Sequence, residues 1–211
     1  MTKFRKQLKV DKSLFRAVRN GLDGKHTRPA FNGIHVASDA SRLTLTTTNG
    51  AMCMIGTQIW TGEDDSDNWG DLPAKGVILP NRTCRRVKKG KPGDIIEIEI
   101  NSLENGAGNF EILDGRYTSY SDVLTDYPFP PVQQVMPRSF APQDEFGLGG
   151  EVLARLSAAG KEFARAYTRL RFEAPDESED GIPKNKIMVD YYRISEGRFE
   201  LELQAFAMPV R

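Results

Sequence analysis

Residues 11–60 read DKSLFRAVRNGLDGKHTRPAFNGIHVASDASRLTLTTTNGAMCMIGTQIW, and a change of period within them decides the fold. In the first ten, Leu14, Phe15 and Val18 recur at i, i+1 and i+4, which makes one helix face. Lys12, Arg16 and Arg19 lie on another. Asp11 or Ser13 supplies the N-cap, and Gly21 marks the end. After the turn GKHTRP the pattern becomes β-prone, in AFNGIHVAS, RLTLTTT and AMCMIGTQIW. These runs are punctuated at Asp39–Ser41 and Asn49–Gly50. Asn-Gly between β-prone runs is a hairpin signal. With a short strand at Gln7–Val10, the unit reads strand, helix, three strands.

The same order recurs twice. The second unit opens on GVILP, continues as a helix over about residues 81–88, and closes it with GKPG. IIEIEI follows with period-two alternation, then NFEILDG and a strand around 117–123. The third opens on FGLGG, with a helix predicted over 151–166 whose buried face is Val152, Leu153, Leu156 and Phe163. Its strands are predicted at 169–173, 186–192 and 199–207. Between units lie TGEDDSDNWGDLP and a junction, DYPFPPVQQVMPRSFAPQDE, with five prolines in twenty residues. PDESEDGIPKN reads as an exposed acidic loop. Helices that repeatedly cross antiparallel strands on one side imply a two-layer α+β architecture.

Net charge is zero, with 29 Lys/Arg and 29 Asp/Glu, yet the cations are sorted. Residues 1–28 hold nine Lys/Arg against Asp11 and Asp23, and residues 82–91 (RTCRRVKKGK) hold six with no acid. A surface divided this way attracts a polyanion on one side and repels it elsewhere. The plain alternative for either segment alone is a solvated helix face. The third helix is less basic: Arg155, Lys161 and Arg165 share it with Glu151 and Glu162.

Reactive groups are few. His35 alternates with Ile34 and Val36 in a strand and reads as structural or surface; His26 has no nearby acid in sequence. Cys53 and Cys84 form no CxxC pair and read as reduced thiols of a cytosolic protein. GLDGKHT lacks phosphate-loop spacing, and the Asp65–Gly76 stretch fails as a calcium loop because Gly76 stands where the closing Glu belongs. No Cys/His set has zinc spacing, so neither a metal nor another cofactor is expected. No run of 18 apolar residues exists, and no membrane association is expected.

Five stretches, in order along nearly the whole chain, resemble bacterial sliding clamps, the β subunit of the replicative DNA polymerase. TRPAFNGIHV is similar to the clamp pattern Arg-x-x-Leu-Asn-Gly followed by a strand, and TTTNG to the Ala-Thr-Asp-Gly turn. ILPNRTCRRV resembles the Val-Pro start of the next helix, and DGRYTSYSDVLTDYPFPPVQQVMP the end of the clamp's middle domain. FAMPVR resembles the terminal Val-Met-Pro-Met-Arg.

The resemblance implies a DNA-clamp fold in a shortened form, of phage or plasmid type. Residues 1–137 would be a complete clamp-like domain of two half units, and residues 138–211 the second half of a clamp's last domain. It implies no enzymatic activity. The expected role is a processivity factor that encircles duplex DNA without sequence specificity and tethers a polymerase, with clamp-loader-like proteins as further partners. A ring of twelve half units would need four chains, hence a homo-oligomer, a tetramer in that arithmetic. DNA contacts would come from Lys12, Arg16, Arg19, Arg82, Arg85, Arg86, Lys88, Lys89, Arg155, Lys161 and Arg165. A partner-peptide pocket would be formed by Thr48, Gly50, Met52, Pro80, Met208, Pro209 and Val210. The family's His-Arg-Leu after the turn glycine is here Ala51, Met52 and Cys53, which removes a positive charge from that pocket. The alternatives are a non-ring clamp-fold adaptor for DNA or protein, and an enzyme with a site assembled from distant residues, such as a carboxylate-based metal site.

Overall fold

The computed structural model describes residues 4–22, 26–39, 41–60, 72, 75–91, 93–102, 108–125, 127–137, 140, 148–163, 167–172, 186–192 and 199–207. The expected sites Arg165, Met208, Pro209 and Val210 lie outside these, as do most of the two acidic connections.

The first unit contains β1 (Phe4–Asp11), α1 (Lys12–Arg19), β2 (Gly33–Ser38), β3 (Arg42–Thr48) and β4 (Met52–Trp60). The second contains β5 (Val77–Pro80), α2 (Asn81–Cys84), β6 (Ile95–Ser102), β7 (Gly108–Leu113) and β8 (Ser119–Val123). The third contains α3 (Gly150–Phe163), β9 (Tyr167–Phe172), β10 (Ile187–Tyr192) and β11 (Phe199–Ala207). The described strands form two antiparallel sheets, in the orders β1-β6-β7-β8 and β5-β2-β3-β4-β11-β10-β9. This is an α+β fold with the helices on one face of the sheets.

The opening strands are exchanged. β1 lies along β6, with Leu8 opposite Ile98. β5 lies along β2, with Leu79 opposite Ile34. Each of the first two units therefore completes the other's sheet. The third unit joins the first through β4 and β11, which pair over nine positions from Met52↔Ala207 to Trp60↔Phe199. The seven-stranded sheet thus runs across the expected boundary near residue 137.

α1 forms because its N-terminus is capped: the Asp11 carboxylate accepts from the Leu14 N–H at 2.9 Å. Leu14, Phe15 and Val18 are fully buried on β3, β4 and β11. Each such side chain contributes about 1.5–3 kcal/mol by leaving water. The approach is close at Gly56, where a Cβ would stand 2.6 Å from Val18 Cγ2. Only glycine on β4 lets the helix lie this near the sheet.

Two expected helices differ from the sequence reading. α2 ends at Cys84 and not near Lys88. Val87 turns into the core, and its carbonyl accepts from Arg16 and Arg19. A helix continued through 85–89 would also stack like charges three and four residues apart. On α3 the buried residues are Leu156, Ala159 and Phe163, whereas Leu153 is 57% exposed. Leu153 lies on the flank away from α1. Leu170 of β9, opposite buried Val189 and therefore on the same side of the sheet, is 48% exposed.

The proline-rich junction does not hang free. Phe129, Val132 and Met136 pack with Cys53, Ile55 and Phe206 on the sheet face opposite the helices. His35 stacks on Phe129 at 4.5 Å between ring centroids and bonds the Lys75 carbonyl through Nε2 at 2.9 Å, a structural role. Burial pushes the Cys53 and Cys84 thiols well above the usual range, so neither is an activated nucleophile.

Candidate nucleic-acid interface

α1 brings its cations against the stretch that follows α2. Arg16 donates to Glu162 of α3 through Nε at 2.9 Å and Nη2 at 2.7 Å, and to the Val87 carbonyl at 2.8 Å. Arg19 donates to the Cys84 and Val87 carbonyls at 3.1 and 3.3 Å. Burial, with Arg16 close by, lowers its pKa from the ordinary guanidinium value. Lys12 is buried, and its ammonium meets Asp114 at 2.5 Å. Arg155 donates to the Leu22 carbonyl, and to Glu151 at 2.6 Å. Of the side chains expected on phosphates, Arg16, Arg19 and Arg155 therefore hold α1, α3 and the α2 stretch together, and Lys12 ties the start of α1 to the turn between β7 and β8.

The remaining charges face outward. Arg82, Arg85, Arg86, Lys88, Lys89 and Lys161 are exposed. They do not all offer free charge. Arg82 donates to Asp122 of β8 through Nε at 2.6 Å, and the Thr83 hydroxyl donates to the same carboxylate at 2.6 Å. These bonds, Arg82's first, hold the Asp122 carboxyl well below the usual carboxylate range. Arg86 lies over the Tyr120 ring, 4.5 Å from its centroid. Glu162 titrates low chiefly because Arg16 bonds it, with Lys89 adding a smaller pull. Arg16, bonded to both Glu162 and the Val87 carbonyl, joins all three units on the helix side, with Lys88 and Lys89 next in the chain after Val87.

The described residues of the expected peptide pocket, Thr48, Gly50, Met52 and Pro80, lie at one end of the seven-stranded sheet. Thr48 faces Cys53 across β3 and β4, and Pro80 faces Gly33 across β5 and β2. Ala207, the residue before Met208, is opposite Met52. Gly50, with φ 88°, makes the β3–β4 turn, in which the Thr48 hydroxyl donates to the Met52 carbonyl at 2.9 Å. Met52 itself points into the main core and not into a groove. Sequence reasoning missed Phe129, Val132 and Met136, which cover this sheet's outer face. The apolar spacing within the proline-rich junction was the available signal. Among the described residues no cluster of His, Cys, Asp or Glu could hold a metal, and no helix is long and apolar enough to cross a membrane.

No protein-family model and no curated protein matches the sequence. Solved structures do match. The DNA polymerase sliding clamp of Pseudomonas aeruginosa shares 14% identity at a TM-score of 0.59, covering 98% of this chain and 67% of that one. The C. crescentus beta sliding clamp shares 15% at 0.62, covering 97% and 66%. The Helicobacter pylori beta clamp shares 10% at 0.59, covering 100% and 68%. The chain thus spans about two-thirds of the length of these clamps, and over that span it has the fold of the bacterial DNA polymerase sliding clamps.

Proposed function

We propose that the chain is a non-enzymatic sliding-clamp-like processivity factor that holds duplex DNA without reading its sequence and tethers a replication protein. One observation carries this reading: the exposed cations Arg85, Arg86, Lys88 and Lys89 flank Val87, whose carbonyl is bonded by Arg16, the residue that also bonds Glu162 and so joins all three units of a clamp fold. Phosphate contacts from such side chains position a duplex but carry no sequence information. The working set is these four with Lys161; Lys12, Arg16, Arg19 and Arg155 support it from beneath. Arg82 contributes less, because Asp122 neutralises it.

Surfaces left open support assembly with further copies. Within the first two units each opening strand covers the other's sheet, whereas the third unit leaves Leu153 and Leu170 uncovered beside α3. Three units per chain make four chains the number that closes a ring of twelve. DNA polymerase and a clamp-loader-like protein would dock at the sheet end formed by Thr48, Gly50, Pro80 and the Met208–Val210 segment. Deleting Met208–Arg211 is then expected to abolish binding of a clamp-binding peptide while assembly survives. Unchanged peptide affinity would remove the pocket.

The test of the DNA reading is a salt titration with a short duplex. Reversing Arg85, Arg86, Lys88 and Lys89 to Glu should weaken binding and flatten the dependence of log K on log salt, by about 0.9 for each phosphate that is no longer neutralised. Equal affinity and slope for variant and wild type would rule the cluster out. The internal use of the α1 cations favours a second reading, a non-ring adaptor with a smaller DNA footprint. It predicts a monomer on DNA.

A further inference from the structure

The turn between β7 and β8 meets the basic stretch directly. The Asp114 carboxylate accepts from the Lys12 ammonium at 2.5 Å and from the Lys88 backbone N–H at 3.2 Å. The Asp114 N–H donates to the Thr118 carbonyl at 2.7 Å, which closes the turn. Gly115, at φ 80°, takes the left-handed conformation that the reversal needs. The turn is thus tied at its base to the cation-rich loop, and its tip, Arg116 and Tyr117, projects outward. Tyr117 is 95% exposed, more than any other large hydrophobic side chain among the described residues.

A bare phenol ring in this setting has a limited choice of partners. Its sequence neighbours, Gly115, Arg116, Thr118 and Ser119, include no large apolar side chain. The exposed Val123 is at the far end of β8. The cations at hand are Arg116, its neighbour in the chain, and Lys88, whose backbone N–H is tied to Asp114 at the base of the turn, with Lys89 next in the chain. Aromatic rings flanked by cations hold single-stranded nucleic acid, because bases stack on the ring while the cations follow the backbone. A tyrosine does this with little loss of side-chain freedom. Bases inside a duplex already stack on each other and offer no face to such a ring.

We propose that Tyr117 stacks on an unpaired base at the junction of duplex and single strand, with Arg116 and Lys88 on the flanking phosphates. This rests on the DNA-binding reading above and adds a site that distinguishes a primed template from plain duplex. It is tested by fluorescence anisotropy with three probes of equal phosphate number: a blunt duplex, a duplex with a single-stranded overhang, and a single strand. Tyr117→Ala should weaken binding of the overhang and single-strand probes about five-fold or more, and leave the blunt duplex unchanged. Tyr117→Phe, which keeps the ring, should bind like wild type. Equal affinity of Tyr117→Ala and wild type for the overhang probe would overturn the proposal while leaving the DNA reading in place. So would an equal loss on all three probes. Failure of the wild type to bind any probe would overturn both.

Discussion

The Arg16 guanidinium donates to both carboxylate oxygens of Glu162 and to the Val87 carbonyl, a use of a basic helix face that spacing alone does not reveal. Lys12, Arg16 and Arg19 were legible as one face of α1, but their partners lie 65 to 146 residues away along the chain. Replacing Arg16 with Met should destabilise the protein by about 1–3 kcal/mol, because the half-buried Glu162 carboxylate loses its guanidinium donor and the Val87 carbonyl keeps only the longer bond from Arg19. Urea unfolding measures this. The DNA salt slope should stay close to that of wild type, unlike that of the four-residue reversal. Asp122 gives a pH-dependent counterpart. Its folded-state pKa is depressed, so it stabilises the fold above its unfolded value, about pH 4, and loses that contribution as pH falls through the folded value. Urea midpoints of wild type and Asp122→Asn should therefore differ at neutral pH and converge in acid. A constant gap down to the most acidic conditions would remove the Arg82–Asp122 bond as a source of stability.

At the scale of elements, the strands β6 and β11 were readable from alternation and spacing. α2 was not, because its length is set by contacts from another unit: Val87 is drawn inward, and α1 supplies donors for its carbonyl. The junction shows the same limit. Its prolines predict an extended path, but only the fold shows that Phe129, Val132 and Met136 cover Cys53, Ile55 and Phe206. Cys53 reports on that cover. Val132→Asp should loosen it and speed labelling of Cys53 by a thiol reagent, while Cys84, under α1 and β5, stays slow. If Cys53 reacts no faster in the variant, the junction does not hold this face closed.

For the molecule as a whole, the three repeated units and the α+β class follow from the sequence, whereas the exchange of β1 and β5 does not. β1 alternates apolar and polar residues and β5 is a short apolar run; both precede a helix, and nothing local says that each pairs in the other unit's sheet. The joining of β4 to β11 is equally hidden, since it needs strands about 150 residues apart to meet. These pairings create the continuous sheet behind the cations and leave the third unit without a sister. On the function proposed above, closure around DNA would depend on other chains. The most direct test is the mass of the assembly on duplex DNA by light scattering or native mass spectrometry. A protein mass of about 94 kDa, four times the chain's 23.6 kDa, is expected. A single chain of 23.6 kDa on DNA would contradict it.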